Sequence, residues 1–282
     1  MLGDRTEDGT YRRIFDRHYD LWLDDHVING VSYVPAATCI AMALGFTALA
    51  EGGPGSLADF EMLQAVPVRD SPVPLSLQLE KTAGGLGLRG RGETLHFRCR
   101  FNGHGLLGKE EPIRPETVPD VGPVRVYADG RFFHGPRFQV LHHCRIEGAG
   151  GAEGWIDTSR LLPVYGCEAW DRLTQWLDGA FQVLGLPALS DKQAIAIPIG
   201  VERVLVAALR VRPVFVKLET ARLSIDDGDI RGDVFAIDEV GRLVFRLVNI
   251  RLRILSRAAS NAATSRASVA IGAAPAPLSY ED

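Results

Sequence analysis

Two stretches of this chain are apolar over helical lengths, and most of the rest alternates between apolar and polar residues with a period of two. The first stretch, PAATCIAMALGFTALAE at residues 35–51, is apolar around nearly its whole circumference. It predicts a helix enclosed by other structure, with its proline in the first turn, where a missing N–H costs nothing. The second, CEAWDRLTQWLDGAFQVLGL at residues 167–186, predicts a helix stopped by Gly185 and Pro187. Strand patterns follow each helix: residues 60–68, 73–81, 85–91 and 94–102 after the first, and 194–208, 213–225, 229–238 and 242–255 after the second, with a hairpin at 238–241. A buried helix followed by several antiparallel strands thus occurs twice. That order predicts an α+β fold with an internal duplication, although the halves share no evident sequence identity.

Between the halves, EPIRPETVPDVGP at residues 111–123 holds four prolines in thirteen positions and predicts a semi-rigid linker. From residue 256 onward the chain is rich in alanine and serine, and we expect a mobile tether there. The expected organisation is a first domain at 1–111, a linker at 112–123, a second domain at 124–256 and a tail at 257–282. Of the 282 residues 46% are hydrophobic and 23% charged, which excludes disordered and collagen-like classes. A net charge of -4 gives no reason to expect nucleic acid or an anionic membrane as a partner, and leaves a small or carrier-borne substrate. The most apolar run, residues 34–50, is broken by Pro35, Thr38, Cys39, Gly45 and Thr47, and the first sixteen residues lack a signal-like apolar core. A soluble cytoplasmic protein is expected. Cys39, Cys99, Cys144 and Cys167 form no CxxC pair and read as reduced thiols.

The chemistry-bearing positions start with DDHVINGVSYVP at residues 24–35. His26 can take a proton at neutral pH, although a single histidine among apolar residues also serves as a structural core residue. Asn29-Gly30 is a generic turn signal; a glycine here also lets a substrate approach the backbone, and an N–H of the turn or of the helix start can stabilise a developing oxyanion. His142-His143 has no acidic residue nearby to complete a metal set, so no metal is expected.

The spacing His26, Gly30, Pro35 resembles the H-x-x-x-G-x-x-x-x-P signature of polyketide synthase dehydratase domains. Two further segments match in order. YADGRFFHGPRFQVL at residues 127–141 is similar to the Y-x-x-x-G-x-x-Y-G-P-x-F motif, with Tyr127, Gly130, Gly135, Pro136 and Phe138 in place. WLDGAFQ at 176–182 is similar to the D-x-x-x-Q/H motif, with IPIGVERVLV at 197–206 after it.

The resemblance implies a double hotdog, two antiparallel sheets each wrapping a long helix. It implies that His26, as base, and Asp178, as acid, dehydrate a β-hydroxyacyl thioester on an acyl carrier protein. Gly30, Pro35, Tyr127, His134, Gly135, Pro136 and Gln182 are then oxyanion or substrate-binding residues. The Gly30 N–H would polarise the thioester carbonyl, and Gln182 would hold the Asp178 carboxyl. No cofactor is implied beyond the pantetheine arm that brings the substrate. The implied partners are the carrier protein and neighbouring synthase domains, with room for a homodimer.

Asp171 and Gln175 repeat the D-x-x-x-Q spacing; we expect Asp171 on a solvated helix face. His134 replaces the tyrosine usual before Gly-Pro, as in iterative synthases of the enediyne and polyunsaturated fatty acid types. It either fills space or hydrogen-bonds substrate. The His-Pro often found before the catalytic aspartate is absent. Isomerisation or cyclisation on the same scaffold, and a non-catalytic docking or dimerisation module, are the competing functions.

Overall fold

The computed structural model of the chain describes residues 1–51, 55–69, 72–80, 85–90, 94–103, 126–146, 151–189, 194–207 and 212–256. In chain order the first half contains β1 (Asp4–Arg5), β2 (Tyr11–Phe15), β3 (Val27–Ile28), β4 (Val31–Tyr33), α1 (Ala36–Glu51), β5 (Leu57–Met62), β6 (Pro67–Val68), β7 (Val73–Glu80), β8 (Gly85–Gly90) and β9 (Leu95–Phe101). The second contains β10 (His143–Ile146), β11 (Ala152–Asp157), α2 (Glu168–Gly185), β12 (Ala194–Val206), β13 (Phe215–Asp226), β14 (Asp229–Asp238) and β15 (Leu243–Ser256).

Twelve of these strands form one continuous antiparallel sheet in the order β1-β2-β7-β8-β9-β5-β12-β15-β14-β13-β11-β10. Six strands of the first half therefore precede six of the second. The halves are joined where β5 pairs with β12, from Leu57 opposite Val204 to Glu61 opposite Gly200. Alternation along each strand turns one row of side chains to the helices, and Phe60, Phe97, Leu218 and Phe245 are buried there. Residues 37–44 of α1 are all buried, as its unbroken apolar surface requires. The two helices pack on each other, α1 also against β5 and α2 against β11, β13 and β14. This is the double hotdog, of the α+β class.

Several expectations are corrected. The single strand at 60–68 is two elements: the chain leaves the large sheet after Met62, the Leu63 and Gln64 N–H groups both turn to the His96 carbonyl, and β6 joins β4 in a separate three-stranded sheet. Pro35 precedes α1 rather than opening it, and its carbonyl accepts the Cys39 N–H at 3.2 Å. Strands β1, β2 and β11 were not expected, because YRRIF and AEGWID carry no clean alternation. The linker at 112–123 and the tail at 257–282 lie outside the described residues.

Candidate active site

Asn29 and Gly30 take φ of 50° and 77°, the left-handed values demanded by a two-residue hairpin turn matched to strand twist. Gly30 is exposed at the tip of that turn. The turn sets Ile28 opposite Val31 and Val27 opposite Ser32, which folds Tyr33 back beside His26. The Tyr33 N–H donates to the His26 carbonyl at 3.0 Å, and the His26 Nδ1 lies 3.1 Å from the Tyr33 carbonyl oxygen. A carbonyl only accepts, so Nδ1 carries the ring proton and Nε2 keeps the lone pair. The hairpin and the histidine are one device: the turn orients the ring.

The segment at residues 126–141 comes to this histidine from the second half of the chain. His26 and His134 form an isolated antiparallel bridge, and the Gly135 N–H donates to the Asp25 carbonyl at 2.8 Å. Gly135 has an ordinary extended backbone, so space is the reason for glycine here. A Cβ would lie 2.7 Å from the Asp25 Cα and overlap the Asp25 carboxylate. Pro136 is exposed and opens a short 3-10 turn, Pro136–Phe138. Arg137 closes the seam with an ion pair, Nη1 to Asp25 Oδ2 at 2.7 Å, while its Nε donates to the Pro163 carbonyl. Sequence inspection missed this pair, because residues 112 positions apart leave no local signal.

Aromatic rings enclose the histidines. Phe133 stacks on His134 at 4.2 Å between centroids, and Phe133 and Phe138 meet His26 edge-on at 5.0 and 5.8 Å. These rings belong to the 127–141 motif.

Asp178 lies in the middle of α2 and is 4% exposed. Gln182, one turn on, donates from Nε2 to Asp178 Oδ2 at 2.7 Å and to the Phe138 carbonyl at 2.8 Å, and its Oε1 accepts from the Tyr127 hydroxyl at 2.5 Å. Tyr127 in turn accepts the Leu141 N–H at 2.9 Å. Tyr127 and Gln182 thus hold the carboxyl and its facing loop in one network. His134 Nε2 lies 3.4 Å from Asp178 Oδ2, and His26, His134 and Asp178 each place a reactive atom within 4.8 Å of the others.

Burial dominates the proton equilibria, because a low-dielectric site penalises whichever form is charged. It pushes His26 down to about 4, against the opposing pull of the Tyr33 carbonyl. Burial, then the neighbouring His26, drives His134 well below the usual imidazole range. Asp178 is pushed up to about 7 by burial, against the stabilising hydrogen bond from Gln182. A neutral imidazole and a carboxyl that keeps its proton near neutrality therefore share one enclosure.

The other aspartate is placed differently. Asp171 is 5% exposed, which corrects the expected solvated face, and its Oδ1 accepts the Tyr165 N–H at 2.7 Å. Gln175 does not meet it; its Nε2 donates to the carbonyls of Arg137 and Leu162. The structure thus brings Asp178, not Asp171, to His26. Of the expected binding residues it brings Tyr127, His134 and Gln182 to the same place, uses Gly135 for close packing, and sets Gly30 and Pro136 at exposed turns.

Comparison with known proteins gives a consistent picture. A family model of the polyketide synthase dehydratase domain matches residues 1–90, and one described as the polyketide synthase dehydratase N-terminal domain matches residues 175–262, in the second half of this chain. No curated protein matches the sequence. Similar solved structures include an isomerase-inactive variant of GphF DH1, with a TM-score of 0.68 and 21% identity over 92% of this chain and 97% of that one. The dehydratase domain from the CurF module of the curacin polyketide synthase superposes with a TM-score of 0.69 and 15% identity over 90% and 97%. That of PpsC from Mycobacterium tuberculosis, solved with C12:1-CoA, gives 0.65 and 20% over 88% and 95%.

Proposed function

Because this chain belongs to the polyketide synthase dehydratase family, we propose that it converts a β-hydroxyacyl thioester on an acyl carrier protein to the α,β-unsaturated thioester and water. His26 takes the α-proton on Nε2, the atom left with a lone pair when Nδ1–H is given to Tyr33. The electron pair of the broken Cα–H bond becomes the second bond between Cα and Cβ. Asp178 gives its proton to the β-hydroxyl, and the Cβ–O bond breaks to release water. The site is then left with a protonated imidazole and a carboxylate, both buried, and their closeness favours return of the proton to Asp178. Gly30, at an exposed tip, is the N–H that the carbonyl of a substrate entering from the surface would meet. Gln182 and Tyr127 keep the carboxyl aimed. Donor and acceptor are both side chains, so the reaction draws on no cofactor other than the substrate's pantetheine arm.

One observation carries this reading: a neutral base and a protonated acid, contributed by different halves of the chain, lie within 4.8 Å of each other in a buried site. A defined β-hydroxyacyl carrier substrate, with products identified by mass spectrometry, tests it. His26→Ala and Asp178→Asn should each slow formation of the unsaturated product by roughly 10²- to 10⁴-fold, the usual range for one acid–base group. Undiminished dehydration in folded variants would remove both residues from the mechanism, whereas no unsaturated product from the unaltered chain would favour a docking module. A second reading, movement of the double bond, is favoured by the likeness to an isomerase-inactive variant of GphF DH1. Both reactions use the same base, and a β,γ-unsaturated product in the same assay would identify it.

A further inference from the structure

The geometry points to a binding site for a divalent first-row transition metal ion, of the zinc class, formed by His26, His134 and Asp178. This departs from the expectation of no metal, which weighed only His142-His143. Two imidazoles and one carboxylate, all buried, present ligand atoms within 4.8 Å of one another. The distance between His134 Nε2 and Asp178 Oδ2, 3.4 Å, is long for an N–H···O hydrogen bond. It matches the edge of a zinc tetrahedron, in which bonds of about 2.0–2.2 Å set ligand atoms roughly 3.4 Å apart. The His26 ligand atom, within 4.8 Å of the other two, supplies the third corner.

The surrounding contacts are those that orient metal ligands. The His26 Nδ1–H is held by the Tyr33 carbonyl, so Nε2 is the ligating atom. Asp178 is held by Gln182, itself anchored by Tyr127 and the Phe138 carbonyl. Among the described residues His134 Nδ1 is buried without a hydrogen-bond partner, so none of them prevents the proton from residing there and Nε2 from presenting its lone pair. Nitrogen-rich donors select zinc, cobalt or nickel over magnesium or calcium. Three protein ligands leave a fourth position for water.

Metal capture needs no assumption about the reaction. Its consequence does rest on the dehydratase reading: a bound ion would occupy the lone pair of His26 and the carboxylate of Asp178, so binding and turnover would exclude each other.

Cobalt(II) provides the test, because a tetrahedral cobalt site absorbs in the visible. The full chain, stripped with EDTA and with the exposed Cys167 thiol blocked by iodoacetamide, is titrated with cobalt chloride and then with zinc chloride. Expected are visible bands that saturate at one equivalent and disappear when zinc is added. His134→Phe and Asp178→Asn should each weaken binding by about tenfold or more. Absence of the bands, or an affinity unchanged in both variants, would overturn the proposal. Circular dichroism checks folding; if His134→Phe does not fold, the near-isosteric Asp178→Asn decides alone. A metal-free chain that dehydrates normally but binds no cobalt refutes the metal site only. One that binds cobalt but never dehydrates refutes the dehydratase reading only.

Discussion

Burial acts in opposite directions on an imidazole and a carboxyl group, since in each it penalises the charged form. With His26 pushed down to about 4 and Asp178 up to about 7, the pair is ready for elimination between those values. In EDTA-treated protein, kcat/KM should hold level through pH 5–6 and fall roughly tenfold per unit above about 7, as Asp178 loses its proton. Stability follows with the same sign. The folded carboxyl binds its proton at higher pH than the unfolded one, so the contribution of Asp178 to stability is lost as pH rises from about 3.8 to about 7, while His26, pushed down to about 4, contributes in the opposite direction. The slope tends to about 1.4 kcal/mol per unit. Asp178→Asn should lack this decline, as urea melts at several pH values would show. At this scale the sequence named His26, Asp178 and Gln182. It did not show that His134 sits against Asp178, because a contact between residues 134 and 178 has no local signature.

Elements decide how these side chains are held. The 24–35 hairpin and the 126–141 segment meet along the His26–His134 bridge, the Gly135 hydrogen bond and the Asp25–Arg137 ion pair. Gly135→Ala would place a methyl group against the Asp25 backbone, which cannot yield as a side-chain tip could. We expect a destabilisation of about 1–3 kcal/mol, the range for overpacking, and a fall in kcat exceeding any change in KM. Thermal melts and steady-state rates check both. The motif letters G-P were legible in the sequence, but their implied substrate role was not the constraint the structure displays: what fills the space above Gly135 is Asp25. Both long helices were readable from their apolar runs, and β12 to β15 from alternation. The split between β5 and β6 was not, because a strand that changes sheet keeps its apolar composition.

Across the whole molecule, the reactive groups come from different halves, and the halves share a sheet through β5 and β12 as well as the contact between α1 and α2. The two halves are therefore built into one sheet rather than standing apart. Each half made alone would expose an unpaired strand edge and the apolar flank of its helix. Expressed separately, neither should give a cooperative melt, whereas the two mixed should regain one. Cooperative unfolding of an isolated half would contradict this.

Taken alone, the sequence determined the class of fold, its duplication, the two helices, most long strands and the spacing of three motifs. These follow from local periodicity, which a chain carries in its order of apolar and polar residues. Only the tertiary structure decided that His26, His134 and Asp178 converge, that Tyr33 selects the ring nitrogen of His26, that Asp171 is occupied elsewhere, and that burial reverses the usual charge states of acid and base. Such facts depend on desolvation and on contacts between residues about a hundred and fifty positions apart. Folding alone creates both.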